Sequence, residues 1–176
     1  MATDSSTTMR QLVVNLANGE AHQKDPSKYW AEVLPDTWKG PYPKQWCGAF
    51  ALWCLRVGIG CGLVWDVALR DHDPSGFLHH LKRLPANVVP ELGDIAYRDL
   101  PYRHHAVVVA AGAGADSASG QPYVICMNGN AGTPPEVLES YDSPSAWTCF
   151  YSIQSLVDDA LSAMAELNEG EPPAGG

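Results

Sequence analysis

Gln45-Trp46-Cys47-Gly48-Ala49-Phe50-Ala51-Leu52-Trp53-Cys54-Leu55-Arg56-Val57 is the stretch whose reading decides the fold. From Cys47 to Val57 it is apolar nearly all round, the pattern of a helix sequestered inside a domain, and Gly58, Gly60 and Gly62 then end it. Upstream, Pro35 to Lys44 holds three prolines and a glycine, which disfavours helix and predicts a surface loop that delivers the chain to Cys47.

Working outward, Leu12, Val13, Leu16 and Ala17, then Tyr29, Trp30, Val33 and Leu34, recur at helical intervals. They predict two short helices between residues 10 and 34, the second opened by Asp25-Pro26-Ser27. Phe77, Leu78 and Leu81 suggest a short amphipathic helix that carries His79 and His80. After Pro85 the character changes to β, with segments at 94–97, 105–109, 122–127, 137–141 and 148–153 separated by Gly/Pro/Asp/Ser-rich breaks, the pattern of an antiparallel meander. Helices first and a small sheet after make an α+β domain, with one helix buried against the sheet. A single domain is expected over 1–155, its core about 10–153, followed by a C-terminal helix and a flexible acidic tail over 156–176 that carries no chemistry.

Composition narrows the function. The 176 residues carry a net charge of -9 with only 11 Lys/Arg, scattered, which excludes the clustered basic footprint of a nucleic-acid binder. No apolar run approaches the roughly 20 residues that span a bilayer, so no membrane span is expected. Met1 to Met9 is polar and Ser/Thr-rich, without the basic start and apolar stretch of a secretory signal. Five cysteines are an odd count with no C-x-x-C pair, which suggests neither a closed disulfide framework nor a zinc site. Adjacent histidines at 79–80 and 104–105 diverge on any regular element, so neither a metal nor another cofactor is expected.

A cysteine in the first turn of a buried helix has a chemical use. The unpaired N–H groups and the helix dipole there stabilise a thiolate, which predicts a lowered pKa, and the Cys47 backbone N–H can help hold an oxyanion. The competing reading makes Cys47, Cys54 and Cys61 small core residues spaced by seven on one face, and for Cys54 and Cys61 that reading is preferred. Trp46 and Trp53 are assigned to the core, and Tyr42, Tyr97 and Tyr102 to a cleft.

Four ordered motifs change the weight for Cys47. Gln45-Trp-Cys-Gly-Ala-Phe-Ala-Leu-Trp resembles the nucleophile motif W-C-(A/G)-A-F-x-x-W of the CHAP and NlpC-type peptidoglycan hydrolases, distant relatives of papain. Pro90-Glu-Leu-Gly-Asp-Ile-Ala-Tyr resembles their P-x-x-G-D-I-x-x-(F/Y) strand, His104-His-Ala-Val-Val-Val their histidine strand, and Asn128-Gly-Asn130-Ala-Gly their E-G-N-x-G segment, with Asn128 in the acidic position. The resemblance runs from about Asn18 to Ile153.

It implies a papain-like fold in which the nucleophile helix packs on a small antiparallel sheet or half-barrel. It also implies a Cys-His-Asn amidase or endopeptidase that cuts cell-wall peptide or its link to glycan. Cys47 would be the nucleophile. His105 is the preferred base, since His-Ala-Val resembles the papain-type strand, and His104 is the alternative; strand neighbours face opposite ways, so only one can meet Cys47. Asn128 would orient the imidazole and Asn130 support it, or both would merely shape a turn. Asp94, in G-D-I, is read as a turn cap.

The implied partner is bacterial peptidoglycan, joined by an immunity protein if the chain is an injected antibacterial effector. Lacking a signal, it would be made in the cytoplasm and reach the wall through lysis, a phage particle or a specialised secretion apparatus. Two other functions share the scaffold: a cysteine acyltransferase or deamidase on another substrate, and a non-catalytic wall-binding domain.

Overall fold

The computed structural model of the protein describes residues 4–66, 76–114 and 120–169. Among the described residues, four helices, α1 (Ser5–Gly19), α2 (Ser27–Val33), α3 (Cys47–Ile59) and α4 (Gln154–Glu169), accompany six strands. These are β1 (Lys82–Arg83), β2 (Ile95–Arg98), β3 (His104–Gly112), β4 (Tyr123–Ala131), β5 (Glu136–Asp142) and β6 (Cys149–Ser152). They form one antiparallel sheet in the order β1-β6-β2-β3-β4-β5. The meander thus holds from β2 to β5, while β6 returns across the sheet to pair with β2. The architecture is α+β, as the sequence implies.

α3 is the buried helix that its composition demands, with Ala49, Phe50, Ala51, Leu52, Cys54 and Leu55 all fully inaccessible. It runs through Gly58 and stops at Gly60, whose φ of 75° is the left-handed C-cap. Gly58 serves packing instead: a Cβ there would sit 3.2 Å from the Val13 backbone, so it allows α1 to cross closely. α1 also begins earlier than its apolar periodicity shows, at Ser5 in the polar segment, where the Asp4 side chain accepts a hydrogen bond from the Ser6 N–H. His79 and His80 lie in a single 3-10 turn, Leu78–His80, too short to present a face.

The sheet has two different faces. Ile95, Tyr97, Val107 and Met127 pack with the helices in the main core. Ala96, Ala106, Val108, Val124 and Cys126 form a second cluster on the opposite face, roofed by Trp147 and Phe150. α4 is more than an appendage: Val157 is fully buried in the main core, with Leu156 and Leu161 packed against it. The last residues of the expected acidic tail, 170–176, lie outside the described residues. Among the described residues, no helix is long and apolar enough to cross a membrane.

Asp94 has the structural place expected of it. Its carboxylate accepts hydrogen bonds from Arg10 (2.9 Å) and from the backbone N–H of Glu91 (2.9 Å) and Ile153 (3.1 Å), tying α1, the β2 entrance and the end of β6 together. Burial pushes this carboxyl up and the Arg10 guanidinium opposes it.

Candidate active site

Cys47 opens α3 with no side-chain cap before it, so the first-turn N–H groups stay available beside its thiol. Its Sγ lies 3.8 Å from Nδ1 of His105, the second residue of β3. That approach depends on Gly48, since a Cβ there would come within 2.5 Å of the Trp65 ring and 3.2 Å of His105 Nδ1. The imidazole is held by packing: Phe77 stacks on it at 6.0 Å between ring centres, while Tyr97 at 5.3 Å and Trp65 at 6.2 Å meet it edge-on.

Cys47 is only 5% exposed, and burial pushes its thiol above the ordinary value. The expected lowering by the helix N-terminus is therefore overturned, because desolvation of a thiolate at this depth outweighs the backbone N–H groups of Cys47, Gly48 and His105 that favour it.

Asn128, the expected third member, faces His104. In the β3/β4 register Ala106 lies opposite Asn128, so Asn128 shares a face with Ala106 and His104, away from His105. Asn128 Oδ1 lies 2.9 Å from His104 Nε2. The Asn128 amide donates to Cys126 O (3.0 Å), Leu138 O (3.2 Å) and Ser140 Oγ (2.9 Å), and Ser140 in turn donates to Asp142 (2.7 Å). With its NH2 so engaged, Asn128 can only accept from His104, which fixes the His104 proton on Nε2 and leaves Nδ1 as the acceptor nitrogen. Of the two histidines left open by the sequence, Asn128 therefore holds the ring of His104, the alternative base, and not that of His105.

Burial holds His104 below the ordinary histidine value, opposed by the Asn128 hydrogen bond and reinforced by the nearby Arg98 charge. At neutral pH the ring is neutral.

Asn130 adopts φ 59° where the β4/β5 register slips between Asn128 and Ala131, so it shapes the strand. It also lines a cleft of about 500 Å³ with Cys47, Gln45, His104 and Asn128. Sequence reading missed four other groups of this cleft: Arg98, Arg103, Trp147 and the Ser140–Asp142 pair. Arg98 was legible in principle, being the residue that closes the G-D-I-A-Y strand.

Of the aromatic assignments, Trp46 is in the core and Tyr102 lines the cleft. Tyr97, expected in the cleft, is 1% exposed and packs on His105. Cys54 is core and Cys61 is half-buried. Among the described residues no three His, Cys, Asp or Glu side chains gather as metal ligands.

No family model, no curated protein and no solved structure matches the chain.

Proposed function

We propose that the protein is a thiol amidase or endopeptidase of the papain-like, CHAP/NlpC type, acting on bacterial cell-wall peptide or its link to glycan. The observation that carries this reading is the Cys47 Sγ to His105 Nδ1 approach of 3.8 Å at the head of a buried helix, beside a cleft of substrate size. Because burial keeps the thiol neutral at rest, His105 Nδ1 takes its proton as sulfur attacks the amide carbonyl. The tetrahedral oxyanion develops beside the backbone N–H groups opening α3, with Gln45 on the same cleft as a further donor. The imidazolium returns the proton to the leaving amine. Water then hydrolyses the acyl-enzyme with His105 again as base.

A second reading of the base rests on a specific observation: Asn128 fixes His104 as the Nε2–H tautomer, and His104 shares the cleft with Cys47.

Mass spectrometry of purified peptidoglycan digested by wild type and Cys47→Ala tests the function. Wild type should release muropeptides and Cys47→Ala should not, and identical fragments from both would refute the nucleophile. If His105 is the base, His105→Ala should lose at least a hundredfold in kcat while Asn128→Ala loses little. The reverse pattern assigns the base to His104. Intact Cys47-dependent acyl transfer without muropeptide release would point to an acyltransferase or deamidase.

A further inference from the structure

The cleft beside Cys47 contains a cation that no step above uses. Arg98 ends β2 directly opposite His104 in the β2/β3 register, so the two side chains stand on one face as cross-strand neighbours. The Arg98 guanidinium lies 5.3 Å from the Trp147 ring and 5.8 Å from that of Tyr102, and Trp147 also stacks on His104 at 6.0 Å. Two aromatic rings thus hold the guanidinium beside the imidazole. Its Nε is buried without an acceptor, and no carboxylate among the described residues pairs with it.

In a chain of net charge -9, a half-buried guanidinium without an acid is an uncommon arrangement. The acids nearby have other partners. Asp142 accepts from Ser140, and Arg103, on the same rim, has Asp99 at 3.6 Å. Glu139 and Asp142 line the β5 side of the cleft, so the cleft is cationic toward β2 and β3 and anionic toward β5.

We propose that Arg98 anchors a carboxylate of the substrate, and so selects peptides that carry a free carboxylate beside the amide to be cut. The inference rests on the reading of this cleft as an amide-hydrolysing site. It names what that site selects. A planar guanidinium pinned between rings is pre-organised for a two-point grip on a carboxylate, at little further loss of side-chain freedom. An acid wall on the far side repels a carboxylate bound the wrong way round.

Titration calorimetry on Cys47→Ala, which binds without turnover, tests the anchor with two probes. One is L-alanyl-γ-D-glutamyl-L-lysine amide, and the other is the same peptide with its glutamyl carboxylate amidated. Amidation should weaken binding roughly ten- to hundredfold. Arg98→Gln should erase that difference and Arg98→Lys should keep part of it.

NMR of the otherwise unmutated Cys47→Ala protein supplies a readout that needs no change at Arg98. The acidic peptide, but not its amide, should raise the His104 titration midpoint by neutralising the Arg98 charge, with Asp142, Asn128, Tyr102 and Trp147 the other groups facing that ring. Equal binding of the two peptides, binding of neither at millimolar concentration, or a preference that survives Arg98→Gln would each overturn the proposal. Muropeptide release by the wild type without a carboxylate preference would sink the anchor alone. Carboxylate-dependent binding without release would sink the hydrolase reading alone.

Discussion

At the scale of single residues, burial decides the chemistry of Cys47. A thiol at a helix N-terminus reads, from sequence, as one with a lowered pKa, and the N–H groups that would lower it are in place. At 5% exposure, desolvation is the larger effect, and the folded thiol ionises above its ordinary value. A neutral thiol at rest follows, with its ionisation coupled to attack. Iodoacetamide should therefore label Cys47 slowly at neutral pH, and the rate should climb as pH passes above about 8.5, where free thiols ionise. Peptide mass spectrometry resolves the site, since Cys54 and Cys126 are buried with raised values of their own and Cys61 is half-buried. Fast labelling of Cys47 that is flat from pH 6 to 8 would mean a resting thiolate–imidazolium pair and would contradict this account.

At the scale of elements, the positions of the side chains were legible where one period governs and lost where two strands must be registered. The apolar run beginning at Cys47 gave α3, and strand alternation told that only one of His104 and His105 faces that helix. It could not tell which histidine Asn128 meets. That depends on pairing parity between β3 and β4, and a register shift lies between Val108 and Ala110, a second between Asn128 and Ala131. A one-residue slip moves a side chain to the other face, so motif order alone leaves the choice open. Gly129, between the two asparagines, carries the complementary message. A Cβ there would meet Phe50 Cβ at 2.6 Å and Trp46 at 3.0 Å, so the glycine lets α3 lie against β4 and sets the depth of Cys47. Gly129→Ala should push the helix off the strand and cost about 1 to 3 kcal/mol, read as a lower midpoint in urea with the slope unchanged. An unchanged midpoint would show that α3 is not held at this contact.

At the scale of the whole molecule, buried titratable groups bound the stable pH range from both sides. His104 ionises below its ordinary value when folded, because burial penalises the imidazolium. Between that depressed value and about 6.5 the unfolded chain binds the extra proton, so the His104 contribution is complete above about pH 6.5 and is lost as pH falls. The buried thiols act in the opposite direction. Cys47, Cys54 and Cys126 keep their protons in the fold beyond the pH at which the unfolded chain releases them. Their contribution is complete below about pH 8.5 and is lost as pH rises above it. Asp94, raised by burial, works against the His104 limb, since it favours the fold below about pH 3.9 and loses that contribution as pH rises toward its folded value. Urea unfolding across pH should consequently show a plateau between about 6.5 and 8.5, with each titrating group adding up to about 1.4 kcal/mol per pH unit to the slope of its limb. His104→Gln should flatten the acid limb and leave the alkaline one, whereas Cys126→Ala should soften only the alkaline limb. Taking each variant against the wild type at the same pH removes the Asp94 contribution. An acid limb that keeps its full slope in His104→Gln would mean that the proton taken up on unfolding belongs to another group.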